Sequence, residues 1–547
     1  MINKRIGFIA EHFTSEEVVI LNQYFTNVDK PVFGLINLPD VIKGALFARY
    51  SRSNKSLRRL FLDEFYSESA DIKNTNIGNV NEGAIQRATS LYDKMILDFG
   101  DDSVAQLGGA HIACEQVSNI LTKIIEKGRI ASYLEQSTRY VYYNEKINGQ
   151  YRYVIPPELK GTEFESLYCT HTDSLFDVYT DILQELVPIL KQKYPQSVEQ
   201  TERAWESTIR AKACDIVRGL LPASTRSNLG IYASGQSYEY LLIKMYASKN
   251  AEVIQYADMI LEELRKIIPS FLTRVDIEDR GKLWTKYIKD IGIQLSKESA
   301  LLLGNNTLSE KGQQDNHVEL IDWDVNAEEK ILKSILFEYS FSSNKEIEEK
   351  IAEMSMEEKD TIIKQYCGDR QNRRHKPGRA FEMSPYHFEI LSDYGAFRDL
   401  QRHRILTIQW QKLSPQNGYV IPIELEEYPE LKAKYEQALI SSEDIYYKLC
   451  SNFNDDLAQY VIPFAYRIRY EIAMNLREAF HFIELRSQKQ GHYSYRKVCI
   501  DMYNLILNKA QHRFVADCMK FVDTNFYDLS RIEAENSKDK KLKKWNN

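Results

Sequence analysis

The chain has 547 residues, 43% of them hydrophobic and 27% charged, which excludes a wholly disordered protein and predicts two or more domains. Its formal net charge of -7 makes it too acidic for a generic nucleic-acid binder. Seven cysteines without a C-x-x-C pair argue against a disulfide framework or a structural zinc site, and we expect no metal and a reducing cytoplasm. No apolar run suits a signal peptide or a membrane helix, so no membrane contact is expected.

Helical periodicity dominates the chain. Apolar residues recur at helical spacing in four stretches, which predicts helices at 174–194, 253–272, 446–462 and 497–522. The segments YRYVIP at 151–156 and GYVIPI at 418–423 are predicted as short strands. Helices and strands do not alternate regularly, so we predict an α+β fold that is rich in helices and has small antiparallel sheets.

Three sequence features occur twice, in the same order. The pairs are KGRIASYLEQSTRY and QRHRILTIQWQKLS (127–140 and 401–414), YVIPPEL and YVIPIEL (153–159 and 419–425), and RGLLP and QYVIP (218–222 and 459–463). The spacing between copies falls from 275 positions, between Arg129 and Arg404, to 241 positions, between Pro222 and Pro463. This change indicates shorter loops in the second copy, which proteins tolerate well.

The repeats predict two homologous domains, residues 1–300 and residues 301–530. A polar, turn-rich stretch at 303–319 is the predicted linker. The lysine-rich and apolar-poor end of the chain, residues 531–547, is predicted to be a disordered tail.

The second copy of the first feature contains the triplet Arg402-His403-Arg404. This triplet resembles the RHR signature of the flavin-dependent thymidylate synthases, in which a serine follows after seven residues and an arginine usually stands two places later. Lys412 occupies the serine position, so the second copy keeps only the beginning of the signature.

The first copy keeps the complementary part. Lys127 and Gly128 precede Arg129 where the family has arginine and histidine, but Ser137 and Arg139 follow at the family's spacing. The segment IASYLEQSTRY is similar to the family's ASxNEQSxRY. Each copy therefore retains the part of the signature that the other copy has lost.

The same complementarity continues downstream, where the family has an arginine before an LP corner, an N-x-R pair and a further arginine along a helix. The first half keeps Arg218 before its corner but has Ser234, Gln236 and Met245 at the other positions.

The second half has Gln459 before its corner and keeps Asn475, Arg477 and Arg486. Independent decay of two copies would sometimes remove the same part from both. The chain is therefore identified as a tandem-duplicated member of the flavin-dependent thymidylate synthases, with one composite site assembled from both halves. The sequence leaves open whether that site forms within one chain or across chains.

The resemblance implies conversion of dUMP to dTMP, with FAD as carrier, methylenetetrahydrofolate as one-carbon donor and NADPH as reductant. No cysteine nucleophile is required in this family. Family members are tetramers whose sites draw on several subunits, so the duplicated chain is expected to form a homodimer that imitates the tetramer.

By resemblance, the first half supplies the wall that binds the nucleotide phosphate. Ser137 offers a hydroxyl, while Arg139 and Arg218 offer forked guanidinium donors, each charge-assisted bond contributing about 1.5–3 kcal/mol. Glu135 would order these arginines or bind the nucleotide. A lone arginine would more simply form a surface ion pair, but the shared motif favours the binding role.

By resemblance, the second half supplies the wall for the pyrimidine and the flavin. Arg402 resembles the family's substrate-contacting arginine, and Arg486 resembles the arginine that holds uracil and favours its anionic form. The side chains expected on the flavin side are His403, Arg404, Asn475, Arg477 and, in the loop HKPGRAFE, Arg379.

Two departures from the family pattern leave alternatives open. Leu134 replaces an asparagine that helps to hold the flavin, and Asp399 stands where a substrate-contacting glutamine is common. The chain could therefore modify another pyrimidine nucleotide or use another one-carbon donor. A degenerate, non-catalytic flavin- or nucleotide-binding scaffold is the third alternative, which predicts that Arg139 and Arg486 lie in separate pockets that do not face each other.

Overall fold

The computed structural model describes residues 11–50, 53, 55–66, 106–303 and 316–545. Up to residue 303 the α-helices are α1 (Ser15–Tyr24), α2 (Asp40–Tyr50), α3 (Leu57–Leu60), α4 (Asn119–Ile125), α5 (Glu163–Lys193), α6 (Glu202–Val217), α7 (Gly235–Tyr246), α8 (Ala251–Ile267) and α9 (Leu283–Leu303). From residue 316 they are α10 (Ala327–Glu338), α11 (Asn344–Glu353), α12 (Met356–Cys367), α13 (Tyr394–Leu400), α14 (Pro429–Asn452), α15 (Asp455–Ala458), α16 (Leu476–Arg486), α17 (Tyr493–Asn508), α18 (Arg513–Cys518) and α19 (Ile532–Trp545). The strands are β1 (Gly109–Ser118), β2 (Ala131–Glu135), β3 (Arg226–Ser234), β4 (His317–Trp323), β5 (Pro385–Asp393), β6 (Thr407–Trp410) and β7 (Arg467–Asn475).

Both sheets are small. One has three strands in the order β1-β3-β2, and the other has four antiparallel strands in the order β4-β5-β7-β6. Because helices provide most of the remaining regular structure, the predicted α+β, helix-rich class is confirmed. Within the described part of the chain, no helix has the length and apolar character to cross a membrane.

The chain divides into two compact units. The first unit comprises Met1–Cys114, Ile130–Leu134 and Leu229–Leu302, and the second comprises Glu115–Arg129, Glu135–Asn228 and Leu303–Asn547. The boundaries of the two units differ from those of the two predicted repeats, because much of the first half packs with the second half. The boundary between the repeats stays a prediction, and most of the predicted linker lies outside the described residues.

In the first unit, α8 shows how the sequence determines a helix. The side chain of Asn250 accepts a bond from the Val253 N–H at 3.3 Å and caps the helix. Val253, Ala257 and Leu264 are buried on one face, which packs against α7. The helix predicted at 253–272 is therefore confirmed up to the end of α8, where a 3₁₀ turn follows.

The second unit is built on β5 and β7, which pair along their whole length, from Pro385 opposite Asn475 to Asp393 opposite Arg467. The long helices α5 and α14 pack against each other in the same unit. The helix predicted at 174–194 falls within α5, whose apolar face is buried.

The two proline corners pair reciprocally within the second unit. The Ala223 N–H donates to the Ile462 carbonyl at 2.9 Å, and the Phe464 N–H donates to the Leu221 carbonyl at 2.9 Å. The 241-position spacing of the repeat relates each of these bonds to the other. The corners therefore meet about a local, approximate twofold axis.

The 275-position spacing of the repeat is also visible in the structure. It relates Ser118, which caps α4, to Asp393, which caps α13. The Ser118 hydroxyl accepts from the Leu121 N–H at 3.0 Å, and the Asp393 carboxylate accepts from the Ala396 N–H at 2.8 Å. Each half thus begins its short helix in the same way.

The segments predicted as strands, YRYVIP and GYVIPI, are not strands. Each forms a single bridge, between Tyr153 and Thr225 in one case and between Tyr419 and Tyr466 in the other. The proline in each segment has no N–H, so a ladder cannot continue through it.

Two predicted helices are divided. The stretch 446–462 is split between α14 and α15, because the Asn454 side chain accepts from the Leu457 N–H at 2.9 Å and starts a new helix. The stretch 497–522 is split between α17 and α18, with Gln511 between them in the left-handed region at φ 61°.

The C-terminal end differs from the disordered tail that its composition predicts, because residues 532–545 form α19. The side chain of Asn536 accepts from the Thr201 N–H at 3.2 Å, and Glu533 pairs with Lys489 at 2.6 Å. These contacts order a segment that is too polar to order itself by apolar burial alone.

Candidate active site

A buried carboxylate, Asp399, lies at the centre of the candidate site. It pairs with Arg402, and its Oδ2 lies 3.4 Å from Nη1 of Arg218. Burial alone would raise the pKa of Asp399, but Arg402, Arg218, Arg486 and Arg139 outweigh that effect and hold the pKa well below its usual range. Two of these four arginines come from each half of the chain.

Tyr495 joins two of the arginines. Nη1 of Arg139 is 3.0 Å from the Tyr495 hydroxyl, to which it donates. The guanidinium carbons of Arg139 and Arg486 each lie 5.7 Å from the centroid of the Tyr495 ring, which is buried. The structure therefore places Arg139 and Arg486, one from each half, on the same aromatic ring.

Asp215, in the last turn of α6, fixes the position of Arg139. It accepts from Nε and Nη2 of Arg139, both at 2.7 Å, in the two-point geometry that suits a carboxylate. Burial raises the pKa of Asp215, but Arg139 offsets this and holds it well below the usual range. The hydroxyl of Ser137 accepts from the backbone N–H of Arg139 at 3.2 Å, so the predicted serine and arginine are adjacent.

Glu135 orders cations from both halves. Its carboxylate lies 2.8 Å from Nη2 of Arg398, 3.1 Å from Nζ of Lys123 and 3.7 Å from Nη1 of Arg402. Burial raises the pKa of Glu135, but Arg398, Lys123 and Arg402 together hold it well below its ordinary value. The carboxylate is therefore charged, bonds Arg398 and Lys123 directly, and lies near Arg402.

Two glycines keep the surroundings of Arg218 open: Gly395 makes room for the guanidinium group, and Gly219 makes room for Tyr435. The side chain of Arg218 is 3% exposed. A Cβ on Gly395 would lie 3.2 Å from Nη2 of Arg218, and a Cβ on Gly219 would lie 1.9 Å from the hydroxyl of Tyr435. Nη2 of Arg218 is buried without a hydrogen-bond partner among the described residues. An unsatisfied buried donor costs about 1–3 kcal/mol, so a ligand acceptor is expected here.

His403 is held by one partner on each ring nitrogen. Nε2 accepts from Nε of Arg486 at 2.9 Å, which places the ring proton on Nδ1, and Nδ1 donates to Glu478 at 3.3 Å. Burial, followed by the charge of Arg486, lowers the pKa of His403 well below its ordinary value, so the ring is neutral. Burial raises the pKa of Glu478 to about 7.

Among the described residues, one group of three side chains could hold a metal ion: His403, Glu478 and His481, with ligand atoms within 4.8 Å of one another. Both ring nitrogens of His403 are already engaged, and the cation Arg486 lies against one of them. The donor set therefore favours a neutral histidine network over a bound cation.

The thymidylate synthase complementing protein family matches the chain twice, over residues 48–270 and over residues 319–510. The chain belongs to this family. The two matches fall one in each half, in agreement with the tandem duplication that the internal repeats predict.

The chain is similar to several known proteins. A UPF0159 protein of Chlamydia muridarum is 36% identical over 525 residues, covering 96% of this chain and 98% of its own. A UPF0159 protein of Thermoplasma acidophilum is 33% identical over 519 residues, covering 90% and 97%. A flavin-dependent thymidylate synthase of Clostridium tetani is 24% identical over 178 residues, covering 32% and 66%. A solved structure of a UMP/dUMP methylase from Streptomyces cacaoi has 15% identity and a TM-score of 0.32, covering 38% and 96%.

Two of the side chains expected on the flavin side, Asn475 and Arg404, lie at a helix start and at the surface. Asn475 caps α16, its side chain accepting from the Glu478 N–H at 2.9 Å. Arg404 is exposed at the surface. In this member of the family, His403 is the expected flavin-side residue whose ring contacts a substrate-side arginine.

Arg477 and Arg379 lie together beside one carboxylate, Glu382. Nε of Arg477 donates to the Pro377 carbonyl at 2.9 Å, and its Nη1 lies 3.3 Å from Glu382. Arg379 pairs with the same Glu382 at 3.0 Å, and its side chain is 83% exposed. The two arginines are therefore linked through one carboxylate and remain accessible to a ligand.

Sequence reasoning missed several members of the site, among them Asp215, Arg398 and Tyr495. Asp215 stands three places before Arg218 and Arg398 four places before Arg402, so helical spacing from a known arginine could have identified both. Tyr495 carries no such signal, because its contact with the first half depends on the tertiary fold.

The repeat predicts that the counterparts of the candidate-site residues also meet, at a place called the second corner below. The 275-position spacing relates Arg402 to Lys127 and Trp410 to Glu135. Nζ of Lys127 lies 4.5 Å from the centroid of the Trp410 ring. A cation–aromatic contact thus stands where the candidate site has an ion pair.

Other signature residues of that second corner form ordinary surface contacts. Arg129 donates to the Thr407 hydroxyl at 2.7 Å, and Lys412 pairs with Asp455 at 2.7 Å. The side chains of Lys412 and Asp455 are about half exposed, and Arg129 is exposed as well. Lys127, Arg129 and Lys412 therefore carry exposed charges, in contrast to the buried charges of the candidate site.

Proposed function

We propose that the chain is a flavin-dependent thymidylate synthase that converts dUMP to dTMP at one composite site. The observation that carries the proposal is the convergence of Arg139 and Arg218 with Arg402 and Arg486 around Asp399. Burying charge costs free energy unless a partner offsets it, and a decayed scaffold would have no reason to keep four arginines together around a buried carboxylate.

The charge of the cluster fits a phosphate monoester. Its cations are Lys123, Arg139, Arg218, Arg398, Arg402 and Arg486. Its carboxylates are Glu126, Glu135, Asp215 and Asp399. Arg531 pairs with Asp215 as well, so seven cations stand against four carboxylates, and a nucleotide phosphate would offset part of this positive excess.

Within this proposal, the two halves divide the substrate between them. Ser137, Arg139 and Arg218 would bind the phosphate, and Nη2 of Arg218 is the donor that is free to do so. Arg402 and Arg486 would face the pyrimidine and stabilise the negative charge that develops on its ring. His403 would hold Arg486 in place through the bond between Nε and Nε2.

The proposed cofactor is FAD, with NADPH and methylenetetrahydrofolate as cosubstrates. The loop before Arg379 contains Arg373, Arg374 and Lys376. Burial, followed by the charge of Lys376, lowers the pKa of His481 to about 4. Together with Arg477, this basic surface suits a pyrophosphate. When bound, a flavin supplies the reducing chemistry and carries the one-carbon unit.

Formation of dTMP is the direct test. Full-length protein would be incubated anaerobically with dUMP, FAD, NADPH and methylenetetrahydrofolate, and each component would be omitted in turn. We expect dTMP only when all four are present. Flavin binding without dTMP would contradict the proposed substrate, and absence of both flavin and dUMP binding would favour the scaffold.

The proposed site lies within one chain, and this can be tested on the homodimer that we also propose. Arg139→Ala and Arg486→Ala should each abolish dTMP formation. Because both side chains contact Tyr495 of the same chain, equimolar mixtures of the two variants, refolded or coexpressed, should recover no activity. Recovery to about a quarter of the wild-type rate would place the site across chains.

A second candidate is modification of another pyrimidine nucleotide, and Asp399 is the observation that favours it. A charged carboxylate only accepts hydrogen bonds, whereas the glutamine that is common at this position both donates and accepts. An acceptor beside the pyrimidine favours a ring edge that carries an amino group. Competition of dCMP and CMP against dUMP would distinguish the candidates, since tighter binding of a cytosine nucleotide would favour the second.

A further inference from the structure

The second unit contains a cavity of about 1050 Å³ beside the arginine cluster. Arg218 and Asp215 line one part of its wall, and Arg531, which immediately precedes α19, lines it too. The family match ends at residue 510, so Arg531 lies beyond the part of the chain that is common to the family.

Arg531 is connected to the same carboxylate that holds Arg139. Its Nη2 lies 3.4 Å from Oδ2 of Asp215, and its guanidinium carbon lies 4.4 Å from the ring centroid of Tyr140. The residue is 3% exposed. Its Nε and Nη1 are nevertheless buried without a hydrogen-bond partner among the described residues.

Two buried guanidinium groups on the wall of one cavity thus have unused donors, because Nη2 of Arg218 is in the same condition. Leaving such charged donors unsatisfied costs free energy, and an oxyanion with several acceptors would remove that cost. The nearby His492 adds no positive charge, because burial lowers its pKa to about 3. The positive charge beside Asp215 therefore comes from arginines and from Lys212, whose ammonium group is already paired with Glu424 at 3.1 Å.

We propose that Arg531 binds the phosphate of the pyrimidine nucleotide together with Arg218, so that the C-terminal segment completes the phosphate site. The assignment rests on the proposed function for the identity of the nucleotide. An anchoring role alone, in which Arg531 only ties α19 to Asp215, would use Nη2 and leave two of its donors without a purpose.

The test compares binding of dUMP with binding of deoxyuridine, which has the same base and sugar but no phosphate. Isothermal titration calorimetry would be done on the full-length wild type, on Arg531→Gln and on Arg496→Gln. Arg496 is the matched control, since it is also buried in the cavity wall and holds the same C-terminal segment. Its donors are already used by the carbonyls of Ser487, Asp523 and Asn525, at 2.8, 3.1 and 2.9 Å.

We expect Arg531→Gln to raise the Kd for dUMP at least about 10-fold and to leave the Kd for deoxyuridine within about two-fold. Arg496→Gln should change both constants by the same factor, since it perturbs only the segment. An unchanged dUMP constant in Arg531→Gln, or an equal loss for both ligands, would overturn the assignment.

The wild type separates this assignment from the proposed function. Phosphate-dependent dUMP binding that requires Arg531, without any dTMP formation, would leave the assignment standing and remove the proposed reaction. Wild-type protein that binds no dUMP would overturn both.

Discussion

The two corners of the second unit share a sequence pattern but differ in charge. At the candidate site Arg402 lies 3.7 Å from the buried Glu135, whereas at the equivalent place Lys127 lies 4.5 Å from the ring of Trp410. Repetition of the backbone has therefore not preserved the charges. Buried charge is costly, and we infer that it is retained only where a bound anion offsets the cost.

The counterpart of Arg218 illustrates the same difference. At the second corner Gln459 stands before the proline, and its amide oxygen accepts from the Leu413 N–H at 2.9 Å. A neutral side chain thus satisfies the backbone locally. Arg218 instead carries its charge into the site and keeps a donor unused.

Removing one arginine from the site should have the greatest consequence for activity. Arg486→Ala should lower kcat/KM for dUMP at least about 100-fold, or about 3 kcal/mol, because it removes a charge that stabilises the ring and the partner of His403. Steady-state dTMP formation measures this. The kcat/KM of Lys412→Ala, at the second corner, should stay within two-fold of wild type. A similar loss of kcat/KM in both variants would mean that the second corner is also needed for the reaction.

Removing the central carboxylate tests whether it balances the arginines. Asp399→Asn should lower the free energy of unfolding by about 3–5 kcal/mol, because four guanidinium groups lose their shared partner. Chemical denaturation would measure the loss, and added phosphate or dUMP should restore part of it. The control Asp276→Asn breaks a half-exposed pair with Arg265 and should cost less than about 1 kcal/mol. An equal loss of unfolding free energy in both variants would mean that Asp399 does not balance the arginines.

The pH dependence of stability tests the burial of Glu478, whose pKa is raised from 4.5 to about 7. The folded carboxyl keeps its proton after the unfolded one has lost it. Its contribution to stability is therefore fully present below pH 4.5 and is lost as the pH rises through 7.

Glu478→Gln cannot lose a proton, so its stability relative to wild type should rise by about 2 kcal/mol between pH 5 and pH 8. The difference between the two proteins separates this effect from the histidines, whose titration both share. Denaturation midpoints across this range measure it. Parallel pH profiles for the two proteins would show that the site around His403 is more hydrated than the contacts indicate.

The smallest effect is expected at the second corner. Lys127→Ala removes the contact with Trp410, which contributes about 0.5–1 kcal/mol, and should lower the free energy of unfolding by no more than that. The rate of dTMP formation should not change, since the contact lies at the second corner, outside the proposed site. A marked loss of activity would mean that this corner also takes part in binding.

The sequence predicted those parts of the fold that depend on local pattern. Apolar spacing located α5 and α8, and the spacing of 275 positions between Arg129 and Arg404 also relates the caps of α4 and α13 in the structure. The prediction of a strand failed for YRYVIP, because apolar and β-branched residues favour a strand but the proline ends the ladder. The prediction of a disordered tail failed for residues 532–545, because the contacts that order this segment come from distant residues such as Thr201.

The candidate site was predictable to the extent that a motif names its residues. Motif spacing identified Arg139 and Arg486, but spacing alone does not bring them to Tyr495, which is 356 positions from Arg139. It also gave no reason to expect that Asp399 would be shared by four arginines. Partner choice inside a buried charge cluster depends on tertiary distance, which a single sequence does not contain.

The reciprocal bonds between the two proline corners have a consequence for how the gene can change. In an assembly of identical subunits, every substitution appears at all corners at once. In this chain a substitution at Ala223 leaves its counterpart Phe464 unchanged. The bond from Ala223 to Ile462 and the bond from Phe464 to Leu221 can therefore change independently. Selection can therefore act on each corner separately. A return to a single-repeat gene would require both sets of site residues to be regained in one copy, so each further loss makes the duplication harder to reverse.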